Sequence, residues 1–157
     1  RPDSWNYAHN EVAWNIATTK SSLPGAPDEM AFYASAGRWH GAGSKLIRHT
    51  IRQDGFRSVG GSLSGGELIT RPLTFDGKRL DINFSTSAAG TVKVEMQNIN
   101  GQPIKGFTYE DADEVFGDEL DRSVTWNGNT DVSTLSGKPV RLRITLSDAD
   151  LYAVKFS

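Results

Sequence analysis

The sequence predicts an all-β fold, an antiparallel β-sandwich of jelly-roll-like type. Three observations carry that expectation. Short segments alternate apolar and polar residues with period two, Asp-Gly and Asn-Gly dipeptides fall between such segments, and only one short stretch carries a helix signal. Period-two alternation places successive side chains on opposite sheet faces and marks antiparallel sheets with one wet face.

In chain order, "EVAWNIAT" puts Val12, Trp14 and Ile16 on one face, and "EMAFYA" follows after the Pro/Gly loop "SSLPGAPD". "KLIRHTIRQ" sets Ile47, His49 and Ile51 against Leu46, Arg48, Thr50 and Arg52. In "RLDINFSTSAAGTVKVEM", Leu80, Ile82 and Phe84 oppose Asp81, Asn83 and Ser85, then Val92, Val94 and Met96 oppose Lys93, Glu95 and Gln97. "SAAG" between them reads as a hairpin connection. The pattern returns in "VRLRITL", where Val140, Leu142, Ile144 and Leu146 oppose Arg141, Arg143 and Thr145. It closes in "LYAVKF", with Tyr152, Val154 and Phe156 expected to face the core. Turns are expected at Asp54–Gly55, Asp76–Gly77, Asn100–Gly101 and Asn127–Gly128. A single helical turn is expected in "DVSTLSGKP", capped by Asp131 or Ser133 and ended by Gly137 and Pro139.

The chain has 157 residues, enough for one domain with a real core, and we expect a single domain over 1–157. It starts at Arg1 and carries no signal-like apolar region, which reads as a piece excised from a larger multidomain protein. The net charge of −2 gives no general pull toward nucleic acid or an anionic membrane, and no apolar run approaches a bilayer span. With no cysteine, disulfides, thiolate chemistry and zinc ribbons are excluded.

Three features depart from a generic sandwich. Aromatic residues stand in loop-like surroundings: Trp5 and Tyr7 in "RPDSWNYAHN", and Trp39 in "SAGRWHGAG" beside Arg38 and His40, whereas Trp14 and Trp126 alternate with valines and read as core. An exposed indole can stack on the C–H face of a sugar, although Trp39 could equally fold back over a sheet end. The second feature is a basic stretch: Arg38, Lys45, Arg48, Arg52, Arg57, Arg71, Lys78 and Arg79 face only Asp54, Glu67 and Asp76. Arg48 and Arg52 share a strand face, roughly 13 Å apart. Their forks suit sulfate, carboxylate or vicinal hydroxyls; the plainer reading pairs them with carboxylates on neighbouring strands. The third is the acidic run "TYEDADEVFGDELDR". Asp111, Asp113 and Asp118 would be the calcium ligands, but the run lacks a regular ligand spacing. The alternative is a solvated loop anchored by Tyr109, Val115 and Phe116.

For catalysis, Glu67 and Glu95 are the carboxylates to weigh as a glycosidase pair, and neither stands in an apolar setting. His9, His40 and His49 show no metal spacing, and no serine lies in a nucleophile elbow. Tyr33, Arg38 and His40 supply the residue types of a jelly-roll lyase. The residues favour a non-catalytic protein.

The runs "GGELITRPLTFDGKRLDINFSTSAAGTVKVEMQNINGQPIKGF" and "DVSTLSGKPVRLRITLSDADLYAVKF", with "IRHTIRQDGFRSV" upstream, resemble the C-terminal β-sandwich domain of bacterial polysaccharide-degrading proteins. That domain typically follows a sialidase-like or five-bladed propeller hydrolase domain. The likeness covers about two-thirds of the chain, from Ile47 onward, and transfers no ligand residues. It implies a non-catalytic carbohydrate-binding module covalently linked to a glycoside hydrolase and secreted, periplasmic or at the cell surface. The alternative is a structural accessory domain that packs on the propeller. The expected partner is a polysaccharide, with a lean toward an anionic or sulfated one. Neither nucleic acid nor membrane is expected as a partner, and the chain is expected to be monomeric. The expected contacts are Trp39, Arg38, His40, Arg48 and Arg52, with Trp5 and Tyr7 as further aromatics.

Overall fold

A computed structural model describes residues 12–36 and 44–157. It is all-β, with antiparallel sheets of three and five strands. The chain divides into two compact units, Arg1–Phe56 and Arg57–Ser157.

In the first unit, β1 (Ala17–Thr19), β2 (Glu29–Ala36) and β3 (Lys45–Arg52) pair in sequence order, with Ala17 opposite Ala31 and Phe32 opposite His49. Phe32 and His49 stack at 5.2 Å. Ala31 and Ala34 are the buried apolar residues of this sheet. The expected stripe of Val12, Trp14 and Ile16 does not form. Asn15 turns to φ 93° and interrupts the extended run, β1 starts only at Ala17, and Trp14 is 99% exposed rather than core. Left-handed backbone cannot continue a strand, so the alternation at Trp14 has no pleat to express it.

The second unit contains β4 (Val59–Gly61), β5 (Gly66–Ile69), β6 (Leu80–Gln97), β7 (Asp118–Ser123) and β8 (Arg141–Phe156). β8 lies at the centre. β6 pairs along one edge of it from Leu80↔Phe156 to Gln97↔Arg141, while β4 and β5 share the other edge. β7 and then Val115 extend the far side of β6.

"SAAG" is therefore not a hairpin. β6 runs through it as one strand of 18 residues. Five steps along β6, Thr86 to Thr91, are matched by two along β8, Ala149 to Ser147, so the extra residues form a bulge. Phe84 and Val92 keep the same parity across it and both enter the core. Gly90 permits the close approach, since a Cβ there would lie 2.3 Å from the Asp148 carbonyl oxygen. The chain reverses later, at Asn98–Gly101, where Gly101 takes φ 79° and donates its N–H to the Asn98 carbonyl. The turn at Asn127–Gly128 also forms, with φ of 50° and 77°, as I′ geometry requires.

The core holds the expected Leu80, Ile82, Phe84, Val92, Val94 and Met96 of β6 and Leu142, Ile144 and Leu146 of β8. Trp126 closes it as expected, 2% exposed, with Nε1 donating to the Val94 carbonyl at 2.8 Å. The last stretch of β8 departs from the plain alternation. Asp148, at φ 43°, and the register shift at Asn83/Phe84 change the parity twice. Leu151 fills the core in place of Tyr152, whose hydroxyl instead meets Ser85 at 3.3 Å. Val154 stays 39% exposed, and Phe156 stacks on Phe75 at 3.8 Å.

The outer face is drier than alternation implies: Asp81, Asn83, Glu95 and Gln97 are all buried. Asp81 accepts from the hydroxyls of Ser123 and Ser157, which satisfies it without a cation. The expected helical turn is a 3-10 helix, Ser133–Leu135, with Asp131 accepting the Ser133 N–H at 2.8 Å and Gly137 following at φ 75°. Among the described residues, no helix is long and apolar enough to cross a membrane.

Candidate functional site

The outer faces of β5, β8 and β6 lie side by side. Register puts Glu67, Thr145 and Lys93 in one row and Ile69, Arg143 and Glu95 in the next, with Thr91 and Ser147 paired on the other flank. Since side chains two apart share a face, these rows form one continuous surface, polar except for Ile69. An open cleft of about 420 Å³ lies over it, lined by Gly65, Glu67, Thr91, Tyr109, Thr145 and Ser147 among others. That volume falls in the range of about 300–1,000 Å³ usual for small-molecule sites. Gly65, at φ 93°, turns the chain into β5 and lets Glu67 stand at the rim.

Arg143 organises this surface. Its Nε donates to Glu67 Oε2 at 2.7 Å, and its Nη1 lies 3.7 Å from Glu95 Oε1. Hydrogen bonding to Glu67 is the main influence holding Arg143 in its charged form; burial opposes it, and the charges of Glu67 and Glu95 assist. Glu95 is 2% exposed, yet it also accepts from Gln97 Nε2 at 2.7 Å and from the Tyr109 N–H at 3.0 Å. The buried carboxylate thus ties the 103–117 segment to the sheet. Lys93 Nζ lies 4.3 Å and Arg143 Cζ 5.6 Å from the Tyr109 ring centroid, so two cations hold the ring by its quadrupole. The result is an aromatic wall beside a floor of hydroxyls, fixed before any ligand arrives.

Glu67 and Glu95 do meet, but through Arg143 rather than across a gap. A glycosidase pair flanks a bond and a water, about 5–10 Å apart, with one carboxyl held protonated. Here a guanidinium occupies the space between them.

The acidic run is largely used internally. Asp111 accepts from the Thr108 hydroxyl and N–H and from Asn127 Nδ2, and these bonds hold its carboxyl below the ordinary range. Asp113 is lowered likewise, first by the Thr125 hydroxyl, then by the Gly128 N–H, against burial and with help from Lys93. Asp118 opens β7 opposite Ser85. Among the described residues, no group of three or more His, Asp and Glu side chains is placed to hold a metal. Val115 anchors the segment as expected and Tyr109 is half-buried. Phe116 is not an anchor, being 70% exposed on the opposite side of an extended stretch from Val115.

Of the residues singled out in the sequence, Trp5, Tyr7, Arg38, Trp39 and His40 lie outside the described residues. Arg48 and Arg52 share a face of β3, opposite Tyr33 and Glu29 respectively. Arg48 Nη2 donates to Glu29 Oε1 at 3.0 Å and also to the Thr19 hydroxyl and the Lys20 carbonyl, the internal pairing that was the plainer reading. The cleft residues Glu67, Tyr109 and Thr145, and Lys93, Glu95 and Arg143 beside them, were not singled out as binding residues. Alternation does place Lys93, Glu95, Arg143 and Thr145 outward, which is the signal available. What it lacks is the strand order that joins them.

Compared with family models, curated proteins and solved structures, the chain matches none.

Proposed function

We propose that the chain is a non-catalytic carbohydrate-binding module that holds a linked glycoside hydrolase on a polysaccharide, outside the cytoplasm. The observation that carries this reading is the preformed cleft: the Tyr109 wall, the Thr91, Thr145 and Ser147 floor, and a rim carboxylate fixed by Arg143. An aromatic ring beside hydroxyls matches a sugar, which offers an apolar C–H face and a fringe of donors and acceptors. Rigidity lowers the ordering cost of binding, and tethering raises the enzyme's local substrate concentration. The Glu67–Arg143–Glu95 bridge supports a non-catalytic role, because the acids have no open reaction space between them. Electrophoresis of the protein through gels containing a panel of polysaccharides tests the reading. Retardation by at least one glycan, without release of reducing ends or unsaturated products, supports it; unchanged mobility across the panel refutes it.

A second reading, an accessory domain packed on a catalytic propeller, is favoured by the first unit. Val12, Trp14, Ile16, Leu46 and Ile47 are all exposed there, and a three-stranded sheet burying little beyond two alanines is weak alone. Sedimentation of the chain with and without a separately produced propeller domain tests this; a stable complex that hides Trp14 fluorescence from quencher supports it.

A further inference from the structure

Resting on the reading of the cleft as a glycan site, we infer that its ligand is an uncharged glycan and that Glu67 excludes anionic ones. Glu67 is the charged residue of the lining, and its Oε2 is held by Arg143 at 2.7 Å. Oε1 remains to accept from a sugar hydroxyl. Of the cations close by, Arg143 lies between two carboxylates, and Lys93 sits over the Tyr109 ring and within electrostatic reach of Asp113. Close to the cleft, Glu67, Glu95 and Asp113 outnumber Arg143 and Lys93; Arg141, on the same face of β8, lies one row further off, opposite Gln97. A sulfate or uronate entering the cleft would meet the Glu67 carboxylate and find the guanidinium already bridged. Of the arginines that the sequence offers to an anionic polymer, Arg48 is paired with Glu29. Hydroxyl groups, by contrast, find acceptors and donors on Thr91, Thr145 and Ser147 without any charge to repel.

Matched polymer pairs test this: methyl-esterified against de-esterified polygalacturonan, and desulfated against sulfated galactan, each in affinity electrophoresis at low and high salt. The uncharged member should retard the full chain at least about tenfold more strongly than its anionic counterpart at low salt, as expected for like charges brought together. Its retardation should also be insensitive to salt. Glu67→Gln should narrow the ratio within each pair. Retardation by the anionic members alone, falling with salt, would overturn this inference and leave the carbohydrate-binding reading intact. Retardation by neither these pairs nor a wider uncharged panel would overturn both. A ratio unmoved by Glu67→Gln would remove Glu67 as the discriminating group.

Discussion

Arg143→Ala should destabilise the second unit far more than loss of its better-formed ion pair would suggest. By distance, the stronger partner is Glu67, at 2.7 Å, but that side chain is 42% exposed, and exposed pairs contribute about 0.2–1 kcal/mol. Glu95 is the weaker partner, at 3.7 Å, with a side chain only 3% exposed. Removing the guanidinium leaves that carboxylate buried without a cation, a change that costs about 3–5 kcal/mol where a buried pair is broken. Gln97 and the Tyr109 N–H still donate to Glu95, which places the expectation near the lower end, at about 3 kcal/mol. Glu67→Gln should cost about 0.5 kcal/mol, because the amide oxygen still accepts from Nε. Urea denaturation followed by fluorescence resolves the two if the other three tryptophans are replaced by phenylalanine, leaving the buried Trp126 as reporter. With a slope of about 2 kcal/mol per molar, Arg143→Ala should lower the midpoint by about 1.5 M. Adding Glu95→Gln to Arg143→Ala should recover at least about 1 kcal/mol by removing the orphaned charge. Equal costs for Arg143→Ala and Glu67→Gln, or no recovery with Glu95→Gln, would refute the reasoning.

Other consequences are as specific. Gly90→Ala should cost about 3 kcal/mol, since its Cβ would press on the backbone oxygens of Asp148 and Ser147 rather than on a side chain able to move; a near-neutral midpoint in the same denaturation would contradict the bulge geometry. Asp111, Asp113 and Asp131 all have carboxyls held below the ordinary range, chiefly by hydroxyl and N–H donors. A group lowered in the folded state stabilises above its unfolded value, and that contribution is lost as pH falls through the folded one. The stability these three groups contribute should therefore hold above about pH 4 and be lost below it, and Asp113→Asn should lessen the acid-side decline in melting temperature. A melting temperature unchanged by EDTA is expected from the internal bonding of Asp111 and Asp113; a fall on chelation, reversed by calcium, would contradict it.

Core membership was legible in the sequence wherever alternation ran undisturbed: Leu80 to Phe84, Val92 to Met96 and Val140 to Leu146 all point inward as read. So were the Asn127–Gly128 turn and the existence of the 3-10 turn at Ser133–Leu135, although its N-cap is Val132, with Asp131 one residue before it accepting the Ser133 N–H. Legibility ended where irregular backbone intervened. Phe84 and Val92 point inward with the same parity in either case, so "SAAG" as a bulge and "SAAG" as a hairpin leave the same apolar pattern. The bulge makes β6 a single strand and sets Lys93 beside Thr145 and Glu95 beside Arg143, so the cleft could not be assembled without it. At Trp14 the reverse occurred: valine-tryptophan-isoleucine alternation was present, but the positive φ of Asn15 removed the strand it implied. Glu95 looked solvated because nothing in the sequence shows that the 103–117 segment lays Tyr109 over it.

Titration of a retarding glycan into wild type, Tyr109→Ala, Tyr109→Phe and Trp14→Ala, each first shown to keep the wild-type denaturation midpoint, tests the cleft most directly. Loss of at least about tenfold in affinity, or 1.4 kcal/mol, for Tyr109→Ala alone is the expected result. Undiminished binding by Tyr109→Ala would place the sugar elsewhere on the molecule.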